Sequence, residues 1–338
     1  MKEKLANLFH SKKFYFVLVA MAIVTILPLF IRSDYVISDV LTPMIIFTIY
    51  ASSWNLLAYS GQGSLGHAAF LGIGGFTSVL LAIRSGLPPV IGLFLGSIFS
   101  AVIGLLVGLT CVRLKAWFLA MVTFGFSVII TTIFIQFDAV IGGIMGFPTN
   151  DALIAERGIP FYYVTMVLAA ISVFAIYLIM KSKAGLAFKA MRENELEAKM
   201  IGINTAKYRL LAFVLSTFFA GLAGGLYAQS IRYIQIDVFS SYHSFQPLIM
   251  SVIGGLGTIE GPIIGSVMIV AIERYLDRID PILQSLMGSL FSGVSNVGPP
   301  LRLIGLGLFL LTVVIFVPKG ISSLIRRIYA YLQTSTGK

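Results

Sequence analysis

The sequence contains little charge for its length. Asp, Glu, Lys and Arg make up only 11% of its 338 residues, whereas 58% belong to the hydrophobic set. Soluble domains carry about 25% charged residues, so this chain has too little charge to cover a water-exposed surface. Its mean hydropathy of +0.96 points the same way. The composition therefore excludes an ordinary soluble domain and predicts that most of the chain faces lipid or other apolar helices.

Residues that form disulfides or bind metals are also scarce. The one cysteine, Cys111, cannot form a disulfide within the chain. The three histidines, His10, His67 and His243, lie far apart in the sequence. These counts exclude a disulfide scaffold and argue against a histidine-rich zinc site, so we expect no metal.

Motifs for catalysis are missing as well. The sequence contains no G-x-x-x-x-G-K-[ST] phosphate-binding loop, so the chain cannot hydrolyse ATP by that route. It shows no convincing cluster of His, Asp and Ser residues, which argues against a membrane enzyme such as a lipid-modifying transferase. We therefore expect a chain that is not an enzyme and holds no cofactor of its own.

Long apolar runs are what the sequence has instead. A helix needs roughly 17–25 apolar residues to cross a hydrocarbon core about 30 Å thick. A further apolar region, 245–276, is broken by glycine and proline and either spans the membrane or re-enters it. The sequence thus predicts an all-α, polytopic integral membrane protein that forms a single domain over 1–338. We expect it to contain about eight full transmembrane helices plus this glycine-broken or re-entrant segment. The full spans are expected at 14–31, 36–58, 65–83, 89–110, 117–137, 161–180, 208–231 and 301–317.

Lys and Arg residues are distributed unevenly between the two sides of these runs. If the N-terminus is cytoplasmic, most of the 24 basic residues fall on the cytoplasmic side. Cytoplasmic loops are enriched in Lys and Arg, so the pattern predicts that both termini are cytoplasmic. It also accounts for the net charge of +10 without nucleic acid as a partner. No small-residue cleavage site follows 14–31, so this run is interpreted as a retained helix rather than a signal peptide.

The longest charged stretch on the cytoplasmic side is the loop 181–207, whose mixture of charged and apolar residues predicts one or two short amphipathic helices. Gly202 and Asn204 are typical residues for ending such a helix. One interpretation is a solvated loop that sets the topology or lies on anionic lipid. The other is a docking element for a cytoplasmic partner. Three carboxylates, Glu193, Glu195 and Glu197, favour docking, because they gain nothing from anionic lipid.

Two apolar segments are interrupted by glycine, one in each half of the chain. The glycines within 59–77 fit the spacing G-x-G-x-x-G, but a dinucleotide site needs a strand and helix context that membrane spans do not provide. Glycines in such segments either let helices pack closely or interrupt helices along a transport pathway. The candidate pathway residues are Gly61, Ser64, Gly66, His67, Gly254, Gly255 and Gly257. For His67 itself, a histidine satisfied by a neighbouring helix is favoured over a ligand or proton carrier.

Ionisable residues are rare inside the apolar runs, so an ion-coupled carrier has few candidate residues. Energy for uphill transport would have to come from another polypeptide, and the loop 181–207 is the natural place for it to attach. A stand-alone channel or facilitator remains the alternative at this point.

Four motifs give the chain a resemblance to a known family. They are NLLAYSGQGSLGHAAFLGIGGF at 55–76, GGIMGFPTN at 142–150, FKAMRENELEAKMIGINTAKYRLLAFVLSTFFAGLAGGLYA at 188–228 and VIGGLGTIEGPIIG at 252–265. With these motifs the chain resembles the inner-membrane permease subunits of branched-chain amino acid ABC transporters, of the LivM type. The third motif is similar to the Glu-Ala-Ala…Gly coupling loop of ABC permeases, although Lys199 stands in place of the second alanine.

The resemblance implies an importer of several subunits. This permease would work with a second, homologous permease, two cytoplasmic ATPase subunits that hydrolyse ATP with Mg, and an extracytoplasmic substrate-binding protein. The residues expected to contact the ATPases are Arg192, Glu193, Glu195 and Glu197, with Gly202 ending the coupling helix. Branched-chain amino acids are the implied substrate, and urea or short-chain amides are the alternative because their permeases have a very similar pattern.

Overall fold

The computed structural model describes residues 33–111, 114, 116–137, 142, 145–149 and 154–290, together with parts of 25–31 and 304–324. Within these residues the chain is mostly helical. The helices are α1 (Thr42–Tyr59), α2 (His67–Ser85), α3 (Pro89–Cys111), α4 (Ala116–Gln136), α5 (Ile159–Lys181), α6 (Lys183–Glu193), α7 (Glu195–Met200), α8 (Thr205–Ile231), α9 (Ser241–Gly254) and α10 (Glu260–Leu290). A π-helical turn, Val36–Leu41, leads directly into α1.

Within the described residues, six helices are long and apolar enough to cross a membrane. They are Val36–Tyr59, His67–Ser85, Pro89–Cys111, Trp117–Gln136, Ile159–Lys181 and Thr205–Ile231. These helices confirm six of the predicted spans, with boundaries shifted by at most a few residues. The predicted span at 14–31 lies largely outside the described residues, and the one at 301–317 is described with gaps, so the total of about eight stays a prediction.

The centre of the bundle consists of α1, α2 and α8. In each of these spans 67% of the most apolar stretch is buried, compared with 33% or less in α3, α4 and α5. The outer three helices instead expose apolar side chains such as Phe99, Ile129 and Phe174. Exposed apolar side chains of this kind suit contact with lipid or with another membrane-embedded chain.

Glycine allows the central helices to approach each other closely. A Cβ atom at Gly74 of α2 would collide with the backbone of Gly221 of α8, and one at Gly224 would collide with the carbonyl oxygen of Leu71. At the same contact, the Ser100 hydroxyl of α3 lies 2.9 Å from the Thr217 carbonyl oxygen of α8. The expectation that small residues mediate helix packing is therefore confirmed for these helices.

The apolar region 245–276 contains a helix break. Helix α9 ends at Gly254, α10 begins at Glu260, and Gly255 and Gly257 between them have φ angles of +129° and +71°. Side chains other than glycine rarely adopt such angles, which explains why the break falls at glycine. The predicted glycine-broken segment is thus two helices, neither of which is among the six candidate spans.

Two short paired strands lie at the end of the bundle opposite the α9–α10 break. Strand β1 (Phe147–Pro148) pairs antiparallel with β2 (Tyr233–Ile234), so that Phe147 lies opposite Ile234. A short 3₁₀ helix, Ile236–Phe239, then leads the chain back toward the start of α9.

Replacing Gly224 by Ala should destabilise the bundle, because the added methyl group meets the Leu71 backbone. We expect a loss of about 1–3 kcal/mol, typical of overpacking in a closely packed core. The measurement is the melting temperature of the detergent-solubilised protein. Gly125→Ala is the matched control, since Gly125 also lies within a helix but a Cβ there meets nothing within 4 Å. Equal melting temperatures for the two variants would contradict the close α2–α8 contact.

Candidate functional site

The loop 181–207 folds into the two short helices α6 and α7. Asn194 separates them in an extended conformation, and its side-chain oxygen accepts hydrogen bonds from the N–H groups of Leu196 and Glu197. Its amide nitrogen also donates to the Glu197 carboxylate at 2.7 Å. The predicted one or two amphipathic helices are therefore two, and the junction between them is an N-cap.

The end of α7 follows the sequence prediction at Gly202. The Ile203 N–H donates to the Ala198 carbonyl oxygen at 3.0 Å, and the Gly202 N–H donates to that of Lys199 at 3.0 Å. Gly202 has a φ of +85°, which completes a Schellman C-terminal motif.

One side of this helix pair is anchored in the bundle. Phe188 and Met191 of α6 and Ala198 of α7 are buried. The ring of Phe188 packs edge-on against Tyr208 near the start of α8, at a centroid distance of 6.2 Å. Both short helices therefore lie against the ends of the spans rather than projecting freely.

The opposite side of α7 presents apolar side chains to solvent. Leu196, Met200 and Ile201, here called the α7 patch, are 71%, 85% and 75% exposed. Residues 196 and 200 are four apart and share one face of the helix. Glu193 and Glu197, also exposed, lie beside the patch in sequence. Clustered exposed apolar residues with a polar rim are characteristic of interaction surfaces.

Glu195 has its partners within the chain. Its carboxylate accepts from Arg209 of α8 at 2.6 Å and pairs with Lys199 at 2.9 Å. The hydrogen bond from Lys199 and the charge of Arg209 lower the pKa of Glu195 from its ordinary value of 4.5. Arg209 in turn donates to the Leu114 carbonyl oxygen between α3 and α4. In the structure Glu195 ties α7 to the bundle, and its expected contact with an ATPase stays a prediction.

Arg192 lies between the two glycine-interrupted segments. Its guanidinium group stacks over the ring of Tyr59, at 5.6 Å from the centroid. A Cβ at Gly61 would come within 3.1 Å of the Arg192 Cα, and one at Gly257 would collide with its guanidinium nitrogen. Arg192 thus brings together Gly61 after α1 and Gly257 after α9, at the end of the bundle where α6 and α7 lie.

Asn55 holds the second break in place and was not among the predicted site residues. Its amide nitrogen donates to the Thr258 carbonyl oxygen at 2.7 Å, and its amide oxygen accepts from the Gly257 N–H at 2.8 Å. The side chain is buried. A carboxamide inside the apolar run 36–58 was the available signal, because such a group needs partners in a membrane.

The remaining residues of the first segment lie at the start of α2. The Ser64 carbonyl oxygen accepts from the Trp54 indole N–H at 2.7 Å, and a Cβ at Gly66 would collide with the Thr123 carbonyl oxygen of α4. His67 is fully buried, with its Nε2 atom 2.9 Å from the Ser53 hydroxyl. The Nδ1 atom of His67 is buried without a hydrogen-bond partner among the described residues, so the neighbouring helix satisfies one of the two ring nitrogens.

The last two pathway candidates, Gly254 and Gly255, lie in the second segment and are packed closely against other parts of the chain. A Cβ at Gly254 would collide with Gly261 at the start of α10, and one at Gly255 would collide with Ser322. In the part of the chain that the structure describes, no three His, Cys, Asp or Glu residues lie close enough together to hold a metal ion.

Comparison with known proteins places the chain in a family. A family described as "Branched-chain amino acid transport system / permease component" matches residues 36–314. The chain belongs to this permease family. The match covers most of the chain, including all six candidate spans, and confirms the resemblance seen in the motifs. It also supports a multi-pass membrane protein.

Individual relatives agree with the family. The high-affinity branched-chain amino acid transport system permease protein LivM of Salmonella typhimurium is 29% identical over 269 residues, which cover 71% of this chain and 63% of the relative. LivM of Escherichia coli K12 is 28% identical over the same shares. A probable LivM of Methanocaldococcus jannaschii is 27% identical over 56% of each chain. The matches thus span less than two thirds of these permeases. No solved structure matches the chain.

Replacing Glu195 by Gln should lower the melting temperature at pH 7 by an amount equivalent to about 1 kcal/mol or less, as is usual for partly exposed ion pairs. Because the folded-state pKa of Glu195 is lowered, its carboxylate stabilises the fold above its ordinary pKa of 4.5. That contribution is lost as the pH falls through the folded-state value. The difference between E195Q and the parent should therefore narrow below pH 4.5.

Glu193→Gln is the control for this experiment, since the Glu193 side chain is 66% exposed and lies 3.9 Å from its nearest cationic nitrogen. Its melting temperature should follow that of the parent at every pH. An E195Q deficit that did not change with pH would show that the Glu195 ion pairs are not its cause.

Proposed function

We propose that this chain is a permease subunit of an ABC importer and forms part of the translocation pathway for branched-chain, hydrophobic amino acids. The single domain over 1–338 would act with a second, homologous permease, two cytoplasmic ATPase subunits that bind ATP and Mg, and an extracytoplasmic binding protein. It would lie in the cell inner membrane with both termini cytoplasmic. Family membership and the names of the relatives support the transport role.

The α7 patch is the observation that carries the coupling role. Leu196, Met200 and Ile201 are largely exposed although the other side of the same helix pair is anchored in the bundle. Burying a large apolar side chain in a partner is favourable by about 1.5–3 kcal/mol. A groove on an ATPase subunit that receives α7 would cover this patch, with Glu193 and Glu197 at its rim. A stand-alone channel or facilitator has no need of such a surface.

Charge supports a cytoplasmic position for α6 and α7. Lys181, Lys183, Lys189, Lys199 and Lys207 all lie in or beside these helices. Lys and Arg next to membrane spans favour the cytoplasmic side. The ATPase subunits, which need cytoplasmic ATP, would therefore meet the chain at the same end as the α7 patch.

Arg192 connects the proposed docking helices to both glycine-interrupted segments. A displacement of α6 would move Arg192 against Gly61 and Gly257, where the backbone is not locked in a regular helix. Glu195 would carry the same displacement to α8 through Arg209. Motion of the ATPase pair would in this way tilt α1, α8, α9 and α10 together, which is what alternating access requires.

Substrate identity rests on the relatives rather than on the chain's own side chains. The names of the LivM relatives specify branched-chain amino acids, and they do not favour the urea and short-chain amide alternative. In importers of this type the binding protein is expected to select the substrate, so the permease would need only a pathway of moderate selectivity.

Replacing Leu196 and Met200 together by Ser should release the ATPase subunits. Affinity purification of the tagged chain from its native membrane, followed by mass spectrometry, should recover at least about tenfold less ATPase, since each 1.4 kcal/mol lost is a factor of ten. Met145→Ser is the matched control, because Met145 is 80% exposed but lies near the opposite end of the bundle. Undiminished recovery with the double variant would place the docking surface elsewhere, and a parent that purifies alone would favour the channel hypothesis.

Replacing Arg192 by Gln should uncouple ATP hydrolysis from transport. The α7 patch is untouched, so the ATPase subunits should still copurify and hydrolyse ATP, while uptake of leucine into proteoliposomes falls by about tenfold or more. Lys183→Gln removes a charge from the far end of the same helix and should leave uptake unchanged. If R192Q transports leucine at the parent rate, Arg192 does not transmit the motion.

A further inference from the structure

Helix α9 begins inside the bundle. Its 14 residues span about 21 Å, less than the roughly 30 Å of a hydrocarbon core. Just before it, the ring of Phe239 stacks on Phe76, the middle residue of α2, at 5.7 Å. In its first turn, the ring of His243 stacks on Phe47, near the middle of the Val36–Tyr59 span, at 6.4 Å. The N-terminus of α9 is therefore the end of a half-helix at mid-depth.

This N-terminus is not capped by a side chain. Ser240 occupies the cap position but makes no side-chain cap hydrogen bond. The N–H groups in the first turn of a helix have no partners within the helix and give its N-terminus a partial positive charge. In a membrane interior these groups form an attractive place for a carboxylate.

A cavity of about 240 Å³ lies between this N-terminus and α4. It is smaller than the roughly 300–1,000 Å³ of drug-sized pockets, so its size suits a small ligand. No residue that lines it is ionisable, so it favours a ligand without net charge, and Phe124, Val128 and Phe239 add apolar surface. The residues that line it and carry hydroxyl groups are Ser127, Thr131 and Thr132 of α4, together with Ser240, Ser241 and Ser244.

The hydroxyl groups on the two sides of the cavity differ in whether they are free to donate a hydrogen bond or only to accept one. On α4, Thr131 donates to the Ser127 carbonyl oxygen and Thr132 donates to that of Val128. Their oxygen lone pairs remain as acceptors, which suit an ammonium group. On the α9 side, Ser244 is fully buried and its hydroxyl has no hydrogen-bond partner among the described residues. A buried hydroxyl without a partner is destabilising, and a hydrogen bond to a bound ligand would remove that penalty.

We propose that this cavity, the α9 subsite, binds the zwitterionic head of an α-amino acid during transport. The carboxylate would accept from the first-turn N–H groups of α9 and from the Ser244 hydroxyl. The ammonium would donate to the hydroxyl oxygens of Thr131 and Thr132. The negative carboxylate would thus meet the donors on the α9 side, and the positive ammonium would meet the acceptors on the α4 side. The inference deepens the proposed transport function and rests on it.

Replacing Ser241 by Asp tests the subsite in the assembled importer. Asp is favoured at the start of a helix, so the fold should persist, and the new carboxylate would occupy the position proposed for that of the ligand. We expect leucine uptake by proteoliposomes to fall about tenfold or more, equivalent to at least 1.4 kcal/mol. Subunit recovery and ATP hydrolysis should be retained. Ser241→Asn, nearly the same size as Asp but uncharged, separates the effect of charge from that of size, and its uptake should fall much less than that of S241D.

Uptake by S241D at the parent rate would overturn the subsite. Failure of the parent itself to take up leucine would instead count against the proposed function, before any variant is compared.

A second measurement does not depend on ATP hydrolysis. Ser241 is exposed and is one of the residues that line the cavity, so a cysteine placed there in a Cys111→Ala background can be alkylated by N-ethylmaleimide. Excess L-leucine should slow this alkylation several-fold, whereas leucinol, which lacks the carboxylate, should not. Equal alkylation rates with leucine, with leucinol and with neither would overturn the proposal.

Discussion

The lack of water in a hydrocarbon core is the constraint on which the rest of the structure depends. A backbone group at membrane depth needs a partner within the protein or a polar cavity to face, so a helix is interrupted where a side chain replaces the lost hydrogen bonds or where the freed groups line such a cavity. Asn55 does this for the α9–α10 break by bonding Gly257 and Thr258. Trp54 donates to the Ser64 carbonyl oxygen in the loop before α2. Tyr50 donates to the His243 carbonyl oxygen in the first turn of α9. All three partners lie on α1, which therefore organises both interruptions.

Close packing by small residues is the second consequence of a lipid environment. Apolar side chains gain little by leaving lipid for another helix, so helices associate where their backbones can approach. Gly74, Gly221 and Gly224 allow this between α2 and α8, and these helices form the buried centre with α1. The outer helices keep their apolar faces exposed. One of them, α4, adds hydroxyl groups on the side facing the start of α9, where purely apolar residues would suffice for lipid contact.

The proposed site was predictable only in part. The amphipathic pattern of 181–207, the stop at Gly202 and the glycine interruptions were visible in the sequence, because helix ends and left-handed turns depend on local residue chemistry. The sequence did not show that the side chains of Arg192 and Glu195 face the bundle. Arg209, the partner of Glu195, lies 14 residues away, and the Asn55 partner Thr258 lies 203 residues away. A charged residue on a short helix can face a partner protein or its own bundle, and local pattern does not distinguish the two.

The sequence by itself determined that the chain is a helical membrane protein, where six of its spans run and to which permease family it belongs. Those properties follow from the length of apolar runs and from contiguous motifs, which are local. Only the tertiary structure decided that Arg192 joins two glycine segments, that α9 begins at mid-depth beside Phe76, and that Ser244 is buried without a partner. These features arise from contacts between residues far apart in the chain, and the geometry of those contacts is fixed only when the helices pack.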